Sequence, residues 1–164
     1  MYLETDRLIL RDFAPDDICD LHEILGDAET MRYCEPAYSF EQTRKFLAEF
    51  CIGKKSALAA VHKESKKVIG YLLFKPWEEG AYEIGWIFNK KFRRQGYAYE
   101  ACSRLIDATF REGNIRRIVA ETTDREKSVP LMEKLGMRLR EVQKGQTDSF
   151  GERTDFYCCE ITKE

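Results

Sequence analysis

No single charge dominates this chain: 27 lysines and arginines stand against 29 aspartates and glutamates, a formal net charge of −2. That balance argues against a global field able to recruit nucleic acid. No apolar run approaches the ~18 residues of a membrane-spanning helix, and no charged-then-apolar secretory pattern opens the chain. The expected compartment is the cytoplasm, with no membrane partner. The six cysteines are Cys19, Cys34, Cys51, Cys102, Cys158 and Cys159. None forms a C-x-x-C pair or a ligand spacing with His22 or His62, so no metal is expected. Most lie in apolar-periodic segments as small hydrophobes, which suits a reducing compartment, and none has a base nominated beside it for nucleophilic work. A G-x-x-x-x-G-K-[ST] run is missing as well, which speaks against a P-loop nucleotide site. Internal repeats and low-complexity linkers are also absent.

What is present describes one domain spanning residues 1–164, large enough for a core without staples. Hydrophobic residues make up 43% and charged residues 34%, the balance of an ordinary globular chain. Leu8 to Asp12 reads as a first strand, followed by a helix that starts near Pro15 and Asp16 and stops at Gly26. Ser39 with Gln42 makes a capping box for a helix to about Cys51, with Gly53 as its stop. Ser56 to His62 and Val68 to Phe74 read as a hairpin, and a turn at Glu79-Gly80 leads to the next strand. Further on come a strand over Ile118 to Thr122, a short helix over Ser128 to Leu135 closed by Gly136, and strands over Met137 to Val142 and Phe156 to Ile161. A polar loop from Lys144 to Arg153 joins the last two. Cys158 and Cys159 fall on opposite faces of their strand.

The stretch from Tyr82 to Ala101 carries the chemistry. Tyr82, Ile84, Trp86 and Phe88 alternate with Glu83, Gly85 and Ile87, the period of a strand. Asn89 to Gln95 is a basic loop containing Lys90, Lys91, Arg93 and Arg94, a local patch suited to a small polyanion. Gly96 then opens a helix with Ala98, Ala101, Cys102, Leu105, Ile106, Thr109 and Phe110 on one stripe. A helix start leaves amides unpaired and carries partial positive charge, which makes an anion site.

Arg93-x-x-Gly96-x-Ala98 resembles the acetyl-CoA-binding motif of the GNAT N-acetyltransferase superfamily, Gln/Arg-x-x-Gly-x-Gly/Ala. Ordered phrases from Leu3 to Met137 resemble its RimJ/RimL-like branch: LETDRLILRDF from Leu3, VIGYLLF from Val68, YEIGWIF from Tyr82 and SVPLMEKLGM from Ser128. The resemblance implies an α/β (α+β) GNAT-like fold, a mixed, mostly antiparallel seven-stranded sheet flanked by four helices. It also implies acetyl-CoA as cosubstrate. The pyrophosphate would sit on the amides of Arg94, Gln95, Gly96, Tyr97 and Ala98, with charge from Arg93 and Arg94, and pantetheine would pair with the backbone of Trp86, Ile87 and Phe88.

Acetyl transfer to an amine needs a base, a held thioester and a proton for the departing thiolate. Glu83 is the candidate base; the same carboxylate also fits a solvent-facing or salt-bridged strand residue. Ser128 matches the family serine that returns a proton to the sulfur, and it also fits a helix N-cap. Where many members place a tyrosine acid this chain has Met132, and Arg125 replaces an asparagine usual in the branch that would bond helix start and cofactor, with Asp124 a partial substitute beside Ser128, which would also touch the cofactor. The acceptor amine would enter past Met31 to Tyr38 and the loop near Gln143 to Asp155. Glu29, Glu35, Asp148, Glu152 and Asp155 are candidates to attract its charge, or solvated surface; Tyr33 and Tyr38 would line an apolar wall, or belong to the core. An α-amine, with a reference pKa near ~7.7 to 8.0, loses its proton more readily than lysine near ~10.4. A protein N-terminus is therefore the first expectation. A small-molecule amine or a non-catalytic acyl-CoA-binding module is the alternative, on a monomer or homodimer.

Overall fold

The structure, a computed structural model, describes residues 1–164. Its strands are β1 (Tyr2–Glu4), β2 (Leu8–Asp12), β3 (Ala57–His62), β4 (Val68–Glu78), β5 (Ala81–Phe88), β6 (Arg117–Thr122), β7 (Arg138–Thr147) and β8 (Arg153–Thr162). Its helices are α1 (Ile18–Leu25), α2 (Phe40–Phe46), α3 (Tyr97–Glu112) and α4 (Ser128–Lys134). All eight strands join one sheet in the order β1-β2-β3-β4-β5-β6-β8-β7. Every neighbouring pair is antiparallel except β5 and β6, which run parallel.

Eight strands replace the expected seven. The addition is β1, which pairs Leu3 with Leu10 and folds back on β2 through a turn closed by the Thr5 amide on the Leu8 carbonyl at 2.9 Å. Three residues are too short to display an alternation, although Leu3 is buried. The polar loop expected from Lys144 to Arg153 is half strand, since β7 runs to Thr147 and β8 starts at Arg153. β7 is an edge strand exposed along most of its length, so polar residues suit it and hide it from a hydrophobic pattern.

Strand alternation sorts side chains to the two faces of the sheet. Leu58 and Ala60 of β3 join the core under α3 and α4, with Leu8, Leu10, Ile84, Ala101, Leu105 and Met132. Ala57, Ala59 and Val61 join the other core, with Leu21, Ile24, Leu47 and Tyr71 under α1 and α2. The α3 stripe runs as read, with Ala101, Cys102, Leu105, Ile106 and Thr109 buried. The Ser39 capping box also forms: Ser39 Oγ accepts from the Gln42 amide at 3.1 Å and Gln42 Oε1 accepts from the Ser39 amide at 2.8 Å. α2 then widens into a π-helical segment over Leu47–Gly53, where Phe46 and Phe50 stack at 4.9 Å. No helix is long and apolar enough to cross a membrane.

Candidate active site

The sheet splits at its parallel pair. β5 and β6 are in register from Ala81 opposite Arg117 to Glu83 opposite Val119, and no farther. β6 stays with β8 to Thr122, while β5 stays with β4 to Phe88, so a slot opens between them. Which backbone groups line it follows from ladder alternation. The Asn89 amide donates to the Ile69 carbonyl at 2.8 Å and the Phe74 amide to the Ser56 carbonyl at 2.9 Å. That phase turns the main chains of Glu83, Gly85 and Ile87 toward β4 and those of Ile84, Trp86 and Phe88 toward the slot. Of the three residues expected to pair with pantetheine, Trp86 and Phe88 turn their main chains to the slot. Ile87 is corrected: its main chain belongs to the ladder opposite Tyr71, and its side chain packs in the core under α1 and α2.

At the mouth of the slot lies the loop between β5 and α3. Arg93, Arg94, Gln95 and Gly96 are exposed there. Arg94 has φ 60° and Gly96 φ 81°, with Gln95 on the ordinary side between them. Alternation of hand turns successive amides toward one point, a concavity that holds anions. None of the amides of Arg94, Gln95, Gly96, Tyr97 or Ala98 has an internal partner; the ladder of α3 begins with the Glu100 amide on the Gly96 carbonyl at 3.0 Å. Gly96 is required by this turn, because a side chain at that φ is strained.

Behind the loop stands a set of residues that sequence reasoning missed. Arg7, in the β1–β2 turn, donates from Nη1 to the Gln95 carbonyl at 2.9 Å and lies 4.1 Å from the Tyr97 ring centre. Glu100 accepts from Thr5 Oγ1 at 2.6 Å, the Arg7 amide at 3.0 Å and Arg7 Nε at 2.7 Å. Burial pushes the Glu100 carboxyl up, but these bonds outweigh it and hold it below the ordinary carboxylate range. The Tyr97 hydroxyl sits 3.0 Å from His62 Nε2. Arg7 and Glu100 are 93 positions apart, and no local pattern links them.

Glu83 projects to the α1/α2 side, shared with Tyr71 and Ile87, and its Oε2 lies 3.0 Å from Lys75 Nζ. Ser128 is the first residue of α4, and its side chain makes no hydrogen bond within the protein. The N-cap position is Lys127, and Asp124 holds the turn before it: its Oδ1 accepts from the Glu126 and Lys127 amides, both at 3.1 Å, and its carbonyl accepts from the Ser128 amide at 3.2 Å. The N-cap alternative for Ser128 is thereby corrected. Asp124 is buried, Arg125 is exposed and Met132 is packed in the core.

The acceptor candidates divide. Tyr33, Asp148 and Glu152 line a cavity of about 410 Å³ with Ala28, Arg32, Thr123, Phe150, Arg153 and Thr154. Glu29 instead pairs with Lys90 at 3.3 Å, and Asp155 accepts from the Gly145 amide at 2.9 Å. Glu35 accepts from the Tyr38 hydroxyl at 2.5 Å. Burial, then the Glu35 contact, raises the Tyr38 phenol far above its ordinary range, so it remains a donor.

Residues 7–138 match the acetyltransferase (GNAT) domain. YnaD, an uncharacterized N-acetyltransferase of Bacillus subtilis (strain 168), is 31% identical over 143 residues, which cover 84% of this chain and 83% of YnaD. An acetyltransferase (GNAT family) from Bacillus anthracis superposes with a TM-score of 0.91 at 30% identity, over 99% of this chain and 98% of that one. RimL, a ribosomal L7/L12 alpha-N-protein acetyltransferase in complex with coenzyme A, shares the fold at a TM-score of 0.86 and 20% identity, over 99% and 98% of the two chains. With a domain match across most of its length and a relative of this identity, the chain belongs to the GNAT family and is an acetyltransferase.

Proposed function

We propose that the protein moves an acetyl group from acetyl-CoA to a primary amine by direct attack in a ternary complex, as RimJ/RimL-like enzymes do, with a protein N-terminal α-amine as the acceptor. The observation that carries this reading is the conjunction of unpaired amides from Arg94 to Ala98 with the open backbone edge of Trp86 and Phe88. The first suits a pyrophosphate and the second an extended chain of amides, which are the two polar parts of CoA. When bound, acetyl-CoA supplies an activated thioester carbonyl and a thiol leaving group.

The protein's own groups do the rest. Arg93 and Arg94 add charge at the phosphates. Glu83 takes the ammonium proton, directly or through water, so that the nitrogen attacks as a free amine. Ser128, whose hydroxyl is unengaged, gives a proton to the departing sulfur and is restored from solvent. No side chain carries the acetyl group. RimL acts on a protein α-amine, and the mixed lining of Arg32, Arg153, Asp148 and Glu152 beside Tyr33 and Phe150 suits an acceptor with charge and amides along its length.

The test is a panel of N-terminal peptides, polyamines, amino acids and amine antibiotics, read by release of free thiol. Peptide acetylation with turnover lost by about 100-fold in Glu83→Gln, and CoA affinity kept, is the expected result. Turnover restricted to small amines would overturn the acceptor assignment. No consumption of acetyl-CoA with any amine would leave a binding module in place of an enzyme.

A further inference from the structure

Arg7 carries more of the loop's geometry than its place in a distant turn suggests. Its guanidinium makes three separate engagements: the Gln95 carbonyl at 2.9 Å, the Tyr97 ring at 4.1 Å, and Glu100 Oε2 through Nε at 2.7 Å and Nη2 at 2.6 Å. Glu100 cancels the charge of Arg7, so its value to an anion lies in what it holds. A trans peptide points its carbonyl and its amide hydrogen in opposite directions. Pinning the Gln95 carbonyl onto Arg7 therefore fixes the Gly96 N–H in the outward direction, where the neighbouring unpaired amides lie. The contact with Tyr97 holds the side chain of the first residue of α3 against the same guanidinium.

We propose that Arg7 is a positioning residue of the cosubstrate loop, aiming the Gly96 amide at the pyrophosphate by its hold on the Gln95 carbonyl and Tyr97. This rests on the reading of that loop as the pyrophosphate site. Lysine cannot replace it, because a point charge on a flexible stem lacks the planar fork and the flat face that make the three contacts together.

The experiment compares two acetyl donors, acetyl-CoA and S-acetylpantetheine, the latter without the pyrophosphate. Arg7→Lys is expected to raise KM for acetyl-CoA about tenfold, the scale of one lost charge-assisted hydrogen bond. KM for S-acetylpantetheine and kcat at saturation should stay within about twofold of wild type. Equal losses on both donors, or wild-type behaviour of Arg7→Lys, would overturn the proposal. Glu100→Gln supplies the second variant and does not depend on Arg7→Lys folding. It should raise KM for acetyl-CoA, because Arg7 loses its anchor; a fall would show that Arg7 acts as a freed charge on the phosphates, and would sink the positioning role. A wild-type enzyme that uses both donors with the same KM would remove the pyrophosphate reading itself.

Discussion

Lys75 and Glu83 face each other across the β4–β5 ladder, with Nζ and Oε2 3.0 Å apart and only 16% of the Glu83 side chain exposed. In the proposed reaction an incoming ammonium meets a carboxylate that already holds a cation, and the two compete for it. Lys75→Met is expected to lower the acceptor KM by up to about fivefold, the worth of a partly exposed ion pair, with kcat little changed. Acceptor titrations at saturating acetyl-CoA measure this. A higher acceptor KM would mean that Lys75 orients Glu83 instead of competing with the substrate.

Asp124 and Ser128 stand four residues apart and differ in what they bond: Asp124 holds two amides, and the Ser128 hydroxyl holds none. Asp124 satisfies two amides in the turn that leads into α4, so Asp124→Ala should cost about 1 kcal/mol of stability. Ser128→Ala removes a hydroxyl with no partner in the protein, so stability should hold within about 0.5 kcal/mol while kcat falls by 10-fold or more. Denaturant titration and single-turnover kinetics on both variants separate the two effects. Loss of stability without loss of rate in Ser128→Ala would assign the serine to the helix alone.

Local signals carried most of the fold and the geometry of the Gly96 loop in the candidate site. The alternation of β5, the Gly96 helix start and the Ser39–Gln42 box each lie within a few consecutive residues, where sequence spacing is geometry. What could not be read is long-range or phase-dependent. Arg7 meets Gln95 across 88 positions, and its neighbours LETD and LILR announce only a strand. Ile87 looks equivalent to Trp86 until the ladder's phase is known, and that phase is set by Asn89 on Ile69. The far end of β7, from Lys144, reads as loop because an exposed edge strand needs no apolar face.

Gly70 lies opposite Phe88, and a Cβ there would meet the Phe88 ring at 2.5 Å. The ring lies over the bare glycine and is buried, so it cannot swing clear without leaving the core. Gly70→Ala should therefore cost about 1–3 kcal/mol by overpacking, measured from the urea midpoint. Because the Phe88 main chain faces the slot, acetyl-CoA affinity should fall with it. A variant as stable as wild type would show that the ring has room the structure does not display.

Asp27 ties the turn after α1 to the loop between β5 and α3. Its carboxylate accepts from Thr30 Oγ1 at 2.6 Å, the Thr30 amide at 2.9 Å and Lys90 Nζ at 2.9 Å, and Lys90 opens the turn that precedes Arg93. The Thr30 hydroxyl first, then Lys90, hold the carboxyl down to about 2. A carboxyl whose pKa is lower in the folded state stabilises that state above its unfolded pKa of ~3.9. The contribution disappears as pH falls through the folded value of about 2. Near neutrality it amounts to about 1 kcal/mol once solvent screening of the half-exposed Lys90 is allowed for. Asp27→Asn, which keeps the shape but not the charge, should be less stable than wild type by about that much at pH 7 and should converge with it near pH 2. Paired urea titrations across that range cancel the other carboxylates. A gap that stays constant from neutral to acid pH would place the effect in packing, with no share for the ionised pair.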